Sequence, residues 1–202
     1  LWPLIAVGWM LGMYHRAVTG AERLEELFTL EPSVAEVPHP VEPDDVRGEL
    51  EVRGLSWSWD DVPVLHDVSF RVPAGSTLGI TGRTGCGKST LVQLMARLVD
   101  PPPGTVFLDG HDVRELALPF LRRTLGVVPQ DTFLFSETIR ENVAFAGDHV
   151  DDAAVQAATA IAQVHDDIEG FPHGYDELLG ERGVTLSGGQ RQRTAMARSL
   201  AA

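Results

Sequence analysis

Residues 82–89 read Gly82-Arg83-Thr84-Gly85-Cys86-Gly87-Lys88-Ser89 and match the pattern G-x-x-x-x-G-K-[ST] of the phosphate-binding P-loop. Glycines let the backbone bend until successive N–H groups point at phosphate oxygens, and the following helix directs its partly positive N-terminus at the same anion. We expect Lys88 to reach the β- and γ-phosphates of a nucleotide and the Ser89 hydroxyl to bind Mg²⁺. The stretch therefore predicts a nucleotide phosphate site.

The sequence on both sides of the loop supplies the context that a P-loop requires. The apolar run Thr77–Thr81 predicts a short strand before it, and apolar residues recur at helical spacing after it, at Leu91, Leu94, Met95 and Leu98. Lys88 is also the only lysine of the chain, whose other fifteen basic residues are arginine. The compact charge of lysine is thus kept for the one position where a phosphate site needs it.

Length and composition limit the class of protein. A chain of 202 residues suits one or two domains and can bury a sizeable core. Its formal net charge of −13 gives no support to a nucleic-acid partner. A single cysteine excludes an intrachain disulfide and is typical of a reducing compartment.

That cysteine, Cys86, lies inside the phosphate loop. The simpler interpretation is a small residue tolerated at a variable position of the pattern. A second hypothesis is that the adjacent helix N-terminus makes the thiol reactive, in which case alkylation blocks nucleotide binding.

The first fourteen residues, Leu1–Tyr14, carry no Asp, Glu, Lys or Arg and are rich in large apolar side chains. They are fewer than the roughly twenty that span a bilayer, but they fit the end of a membrane helix with Trp2, Trp9 and Tyr14 at an interface. A buried globular helix and a signal peptide are the alternatives. Ala21–Phe28 continues as an amphipathic helix. Since the chain begins with leucine and stops inside a helical pattern, we expect it to be a piece of a longer protein.

A change of composition marks the clearest domain boundary. From Glu31 to about Arg47 the chain is rich in proline and acidic residues, which predicts a solvated, semi-extended linker. The domains are therefore expected at 1–30, 31–47 and 48–202.

The pattern beyond the linker alternates strands and helices. Strands are predicted at Glu49–Trp59, Val64–Val72, Thr105–Leu108 and Leu125–Val128. Further helices are predicted at Leu116–Arg123, at Asp151–Val164 and after residue 187 through Leu200.

Three features of this region bear on a binding site. Trp59 lies just upstream of the P-loop, where it is either part of the sheet core or stacks on a base. Gln130 follows a predicted strand, at the strand end where open α/β sheets bind ligands. Phe133-Leu134-Phe135 is either core or a patch that contacts a partner.

A second glycine motif, Leu186-Ser187-Gly188-Gly189-Gln190, follows about a hundred residues after the P-loop. Two glycines before a helix make a second group of converging N–H donors and so a second anion site. His165, Asp166, Asp167 and His173 lie between the motifs, but their spacing is not that of a closed metal site, and a solvated helix end is the preferred interpretation.

Together these residues resemble the nucleotide-binding domain of an ATP-binding cassette (ABC) protein. By this resemblance Trp59 matches the adenine-stacking aromatic, Gln130 the Q-loop glutamine, and residues 186–190 the signature motif. Gly180-Glu181-Arg182-Gly183 resembles the X-loop of ABC exporters, and Leu1–Phe28 the cytoplasmic end of the last transmembrane helix of fused exporters. The implied fold is α/β, a P-loop NTPase core with an N-terminal antiparallel β portion and a helical subdomain.

The resemblance also implies the site. ATP is expected to contact a set of ten residues: Trp59, Gly82, Arg83, Thr84, Gly85, Cys86, Gly87, Lys88, Ser89 and Thr90. Lys88 and Gln130 are the catalytic residues, Ser89 and Gln130 hold Mg²⁺, and Leu186, Ser187, Gly188, Gly189 and Gln190 close over the nucleotide of a second cassette. In the family a strand ending in Asp and Glu follows the signature helix and a switch histidine comes later. The chain ends at Ala202, so the cassette is expected to lack the Walker B, D-loop and H-loop segments, to bind nucleotide weakly at best and to be inactive in hydrolysis.

The function implied for the intact protein is ATPase-coupled export of an unidentified substrate across the plasma (inner) membrane, with the cassette on the cytoplasmic side. Its partners are its own transmembrane domain and a second half-transporter, identical or different. A stand-alone importer ATPase or a non-transport ABC ATPase is the alternative. A GTPase needs a guanine-reading lysine that this chain lacks, and a chromosome-maintenance ATPase needs a long coiled coil for which there is no heptad run.

Overall fold

The computed structural model describes residues 2–145, 147, 150–180 and 186–201. The chain forms two compact units, Leu1–Ala35 and Glu36–Ala202.

The first unit is a single helix, α1 (Trp2–Thr29), with no buried residue. Apolar side chains are exposed along its whole length, from Trp2 to Phe28. Its C-terminal turn is closed by the Thr29 hydroxyl, which donates to the carbonyls of Glu25 and Glu26 at 3.0 Å. Nowhere in the described chain does a helix combine the length and the apolarity that crossing a membrane requires.

The second unit contains a four-stranded sheet in the order β2-β1-β3-β4, with antiparallel neighbours throughout. Its strands are β1 (Leu50–Trp59), β2 (Val62–Val72), β3 (Val106–Leu108) and β4 (His111–Asp112). Asp60 and Asp61 join β1 to β2 with φ of 46° and 66°, the left-handed pair that a tight hairpin turn requires. The predicted strands at 49–59, 64–72 and 105–108 are confirmed to within two residues.

The second unit also contains helices, joined by turns and loops. They are α2 (Lys88–Met95), α3 (Leu118–Thr124), α4 (Ile139–Ala144), α5 (Asp152–Ile161), α6 (His165–Glu169), a 3₁₀ turn (Gly174–Asp176) and α7 (Gly188–Leu200). One core lies between the sheet, α2 and α3 and includes the fully buried Leu55, Leu94 and Leu121. A second core, around Leu134, Ile139 and Ile168, joins α4 to α7. The unit thus has a sheet part that carries the P-loop and a helical part that carries residues 186–190.

Two predicted strands were wrong. Thr77–Thr81 and Leu125–Val128 form no strand, because neither has a ladder partner among the described residues. Leu78, Ile80 and Val128 accordingly remain more than a third exposed. An apolar run can favour an extended chain, but a strand exists only once a neighbour satisfies its backbone N–H and C=O groups.

Two predicted helices also differ from the structure in their bounds. The helix predicted at Asp151–Val164 is α5, which begins at Asp152 and ends at Ile161, shortly before Gln163 takes a left-handed φ of 57°. The helix predicted at Leu116–Arg123 begins only at Leu118, next to Pro119, which suits the first turn of a helix.

The linker is largely exposed, but hydrogen bonds attach its C-terminal end to the sheet part of the second unit. The carboxylate of Asp109 accepts backbone N–H bonds from Arg47 (2.9 Å), Gly48 (3.1 Å) and Glu49 (2.8 Å). Partial burial opposes ionisation of Asp109, but these three donors together outweigh it and lower the pKa of the carboxyl below its ordinary value of 3.8. The start of β1 is thus fixed by one ionised side chain.

We expect Asp109→Asn to destabilise the folded chain by about 1 kcal/mol at pH 7, since the donors keep an oxygen acceptor but lose the charge, and solvent weakens that loss. Asparagine tolerates the left-handed φ of 49° at this position, so no backbone strain is added. A lowered pKa stabilises the folded state above the ordinary pKa, and this contribution is lost as pH falls through the lower, folded pKa. Urea denaturation at pH 7 and near pH 3 should show a smaller deficit of the variant at the lower pH. An equal difference at both values would contradict the assignment.

Candidate nucleotide-binding site

The loop between residues 82 and 88 is wound tightly enough that glycine is required in it. A Cβ on Gly82 would lie 2.7 Å from Cys86 Sγ, and a Cβ on Gly87 would lie 2.9 Å from atoms of both Val64 and Leu65. Gly87 also has a left-handed φ of 90° and precedes the first residue of α2 without any side-chain cap. The loop conformation is thus set by the glycines and by β2 beneath them.

The backbone donors of this loop are available to a ligand. Within the described chain, the N–H groups of Gly85, Gly87 and Lys88 donate to no protein acceptor, while that of Cys86 donates to Arg83 O at 3.3 Å. The first N–H groups of a helix have no partner inside it, so those that open α2 face the same side as the loop. This arrangement fits an anion with several oxygens.

Lys88 folds back across its own loop. Its Nζ donates to the carbonyls of Gly82 (2.9 Å) and Arg83 (2.8 Å) and lies 3.7 Å from Cys86 Sγ. Because these acceptors are carbonyls at the surface, a phosphate can replace them without leaving a buried charge unpaired. The ammonium group is therefore held at the mouth of the anion site.

A cleft of about 490 Å³ joins this loop to three residues predicted for the site. Besides loop residues, it is lined by Trp59, Val64, Thr90 and Gln130. Trp59 is 42% exposed, and its indole N–H donates to Thr90 Oγ1 at 3.3 Å. Its ring meets Trp57 edge to face with centroids 5.5 Å apart. Trp57 packs against the core, whereas Trp59 offers surface to the cleft.

Gln130 is predicted both to bind metal and to take part in catalysis. It lines this cleft and a neighbouring groove of about 420 Å³, each together with Lys88 and Ser89. No carboxylate lines either groove among the described residues. In this part of the chain the grooves therefore offer only neutral oxygen donors. Such donors suit a hard divalent cation that is held mainly by phosphates and water.

Residues 186–190 form the beginning of α7. Leu186 is buried, the Ser187 hydroxyl accepts from Gln190 N–H (3.2 Å), and Gln190 Oε1 accepts from Ser187 N–H (3.0 Å). This reciprocal pair is a capping box. Neither groove lined by Lys88 contains any of these five residues.

The two glycines of this motif are not required by the chain itself. A Cβ on Gly188 would meet nothing within 4 Å, and one on Gly189 would make only an ordinary contact of 3.5 Å with Arg193. Neither residue has a positive φ. A glycine pair with open space above it allows another molecule to approach the backbone closely.

Other residues singled out in the sequence have different partners. His165 Nδ1 lies 2.7 Å from Tyr175 OH, and Asp167 forms an ion pair with Arg193. No group of three potential metal ligands occurs in the part of the chain that the structure describes. Of the segment compared with an X-loop, Glu181, Arg182 and Gly183 lie outside the described residues.

Sequence reasoning missed a partly buried arginine that holds the segment after Gln130. Arg198 of α7 donates to Asn142 O (2.7 Å), to Asn142 Oδ1 (2.8 Å) and to Phe133 O (3.0 Å). Burial lowers the pKa of Arg198. Leu134 is core, as one interpretation of the Phe133–Phe135 run predicted, whereas Phe133 is 53% exposed. A lone arginine in a helix gives no sequence signal of such contacts.

Comparison with known proteins agrees with this geometry. The family model described as ABC transporter matches residues 65–202. The ATP-dependent lipid A-core flippase of Syntrophus aciditrophicus (strain SB) is 37% identical over 92% of this chain and 31% of its own length. The mitochondrial iron-sulfur clusters transporter ATM1 of Chaetomium globosum is 38% identical over 98% of this chain and 33% of its own length.

A solved structure of a bacterial Atm1-family ABC exporter with ATP bound has a TM-score of 0.82 and 39% identity, covering 95% of this chain and 35% of its own. The chain thus spans about a third of the length of these relatives. Its fold is the P-loop fold of ABC ATPases, with an antiparallel sheet and a helical part, and it carries the ATP-binding cassette. The chain belongs to the ABC transporter family.

Proposed function

We propose that this chain is the ATP-binding cassette of an ABC exporter and couples ATP binding and hydrolysis to the export of a substrate. The observation that carries the proposal is the single cleft that brings together Trp59, Lys88, Ser89 and Gln130. The similar Atm1-family exporter has ATP bound, which supports the choice of nucleotide.

The chain's own groups have separate roles in this proposal. The loop N–H groups and Lys88 bind the phosphates, Arg83 to Cys86 enclose them, and Trp59 stacks on the base beside Thr90. Charge neutralisation at the phosphates is the main contribution of such a site to phosphoryl transfer.

Mg²⁺ fits the oxygen donors that the cleft provides. The Ser89 hydroxyl and the Gln130 side-chain oxygen would hold it together with phosphate oxygens and water. The ion would supply charge compensation for the transferring phosphoryl group. Both residues line the same pair of grooves, which supports this assignment.

Residues 186–190 serve the nucleotide of a second cassette. Their glycines are open to an approaching molecule, yet the motif lines neither groove of its own P-loop. Two copies arranged about a two-fold axis would place each motif over the other's P-loop and bury two nucleotides between them. ATP then favours the closed pair, and hydrolysis releases it.

Hydrolysis needs a base to orient water, and no carboxylate among the described residues lines the cleft. We propose that these 202 residues bind ATP and that a carboxylate outside the described part completes the hydrolytic site. Helix α1 exposes apolar side chains from Trp2 to Phe28, which fits attachment to a transmembrane domain, with the cassette on the cytoplasmic side of the inner membrane.

The proposal is tested by the association of the full chain in solution. Light scattering should show dimers at saturating Mg·ATP and monomers without nucleotide or with AMP, because only a triphosphate bridges both glycine motifs. A detergent above its micelle concentration should be present in every sample, since α1 is apolar. Equal association with and without Mg·ATP would overturn the proposal.

Trp59 offers a test of the base contact. We expect Trp59→Ala to weaken ATP binding about five- to tenfold, within the 1–3 kcal/mol typical of a stacked base. Trp59→Phe keeps an aromatic face and loses only the bond to Thr90, so its affinity should stay near that of the wild type. Titration with a fluorescent ATP analogue measures both. Equal ATP affinity of the wild type, Trp59→Ala and Trp59→Phe would mean that Trp59 has a purely structural role.

A further inference from the structure

The end of the linker nearest α1 is attached to the sheet part by a short strap, which we define as residues 36–41. Val41 N–H donates to Glu115 O at 2.8 Å, and Ala117 N–H donates to Val41 O at 3.0 Å, as in a parallel bridge. The Glu36 carboxylate accepts from Leu118 N–H at 3.1 and 3.2 Å. The first donor of α3 is thus satisfied by a residue 82 positions earlier in the chain.

The strap contacts the turn formed by residues 113–117. A residue shortly after the phosphate-binding helix α2 contacts the same turn. Arg97 follows α2, and its Nη1 donates to Val113 O (3.2 Å) and Leu116 O (3.1 Å). Its side chain is 1% exposed and pairs with Asp100 at 2.8 Å. A buried cation with these acceptors cannot shift without losing charge-assisted bonds, so α2 and the turn move together.

The same turn leads to Gln130. Helix α3 begins directly after it, and the chain then continues through residues 125–129 to Gln130. Leu116 and Leu121 are buried to 1% exposure or less, which packs the turn and α3 into one core with Leu94 of α2. The strap therefore contacts the turn to which both α2, the helix of Lys88, and the segment leading to Gln130 are attached.

We propose that the strap is a positioning segment for the nucleotide site and that its attachment and ATP binding favour each other. With the strap detached, the turn and α3 are less ordered, so ATP must order them on binding and its affinity falls. The chain from α1 enters this strap, which gives the preceding segment a physical route to the nucleotide. The inference rests on the proposed binding of ATP at the P-loop.

Hydrogen exchange of the full chain, read by mass spectrometry, tests the coupling directly. Saturating Mg·ATP should slow exchange at the amides of Val41, Ala117 and Leu118, none of which lines the Lys88 grooves. The P-loop amides serve as the internal record of ATP binding. A strap with a purely structural role would show the same exchange with and without nucleotide.

The reciprocal measurement uses variants of the strap. Glu36→Ala should raise the Kd for ATP on the order of fivefold, since coupling between two sites is symmetric in free energy. Glu36→Gln keeps one neutral acceptor and should lie between Glu36→Ala and the wild type. Glu42→Ala removes a nearby exposed carboxylate and should leave the Kd unchanged. Both positions are exposed, so folding is expected to be preserved in all three variants.

The outcomes separate the two proposals. If ATP protects the P-loop amides but leaves Val41, Ala117 and Leu118 unchanged, the coupling is wrong and the proposed function stands. If Glu36→Ala binds ATP as tightly as Glu42→Ala, the coupling is also wrong. If ATP protects no amide of the wild-type P-loop, the proposed function fails and this inference fails with it.

Discussion

Lys88→Ala should weaken ATP binding roughly 100-fold or more. The side chain is the only lysine of the protein, and it lies at the mouth of the glycine loop with the carbonyls of Gly82 and Arg83 and the sulfur of Cys86 as partners. Its removal deletes charge-assisted hydrogen bonds to two phosphates, each contributing about 1.5 kcal/mol or more. Isothermal titration calorimetry with Mg·ATP measures the change.

Two variants of the same loop control this experiment. Lys88→Arg keeps the charge, but a planar guanidinium is a poor replacement for a compact ammonium inside a tight loop, so affinity should remain far below that of the wild type. Arg83→Ala removes an exposed cation at a variable position of the same loop and should change the affinity only a few-fold. Equal losses in Lys88→Ala and Arg83→Ala would mean that net charge, and not the position of Lys88, governs binding.

Local patterns predicted the parts of the fold that depend on neighbouring residues. The glycines, Lys88 and the apolar spacing after them specify a loop that opens a helix, and α2 begins at Lys88. Alternation predicted β1 and β2, because one face of each packs on the core while the other faces solvent. These features need no information from distant parts of the chain.

Features that depend on distant residues were not predictable in the same way. Thr77–Thr81 has the composition of a strand, but composition does not identify a pairing partner. The contact between Glu36 and Leu118 and the support that Arg97 gives to Leu116 join segments far apart in sequence. An exposed glutamate in a proline-rich linker and an arginine after a helix have no pattern that distinguishes them from solvated residues.

The candidate site shows the same division. The P-loop, Trp59 and Gln130 were predicted and lie around one cleft, although their individual roles stay predictions. The signature motif was predicted as a second anion site, but its Ser187–Gln190 capping box was not, although serine followed three positions later by glutamine is its sequence pattern. The polar side chains of the motif thus stabilise their own helix, which leaves the glycine backbone as the open surface.

The variant Gly188→Ala adds a methyl group to this open surface and should have a large effect on dimerisation. We expect Mg·ATP-dependent dimerisation to weaken at least about tenfold, because a methyl group would stand between the backbone donors and the partner's phosphate. The free energy of unfolding should stay equal or rise by up to about 1 kcal/mol, since alanine is the better helix former and its Cβ meets nothing within 4 Å.

The opposite signs of the two effects make this variant informative. Replacing a glycine that packing requires should lower both the stability and the dimerisation of the protein. This is expected for Gly87, whose Cβ would lie 2.9 Å from Val64. Replacing a glycine that only the partner's nucleotide approaches should lower dimerisation and leave stability unchanged. Gly20→Ala in α1 is the matched control, because it also adds a methyl group to an open helical position and should leave dimerisation unchanged. Light scattering and urea denaturation of the same samples measure both quantities, and unimpaired dimerisation of Gly188→Ala would exclude a close contact between this motif and nucleotide.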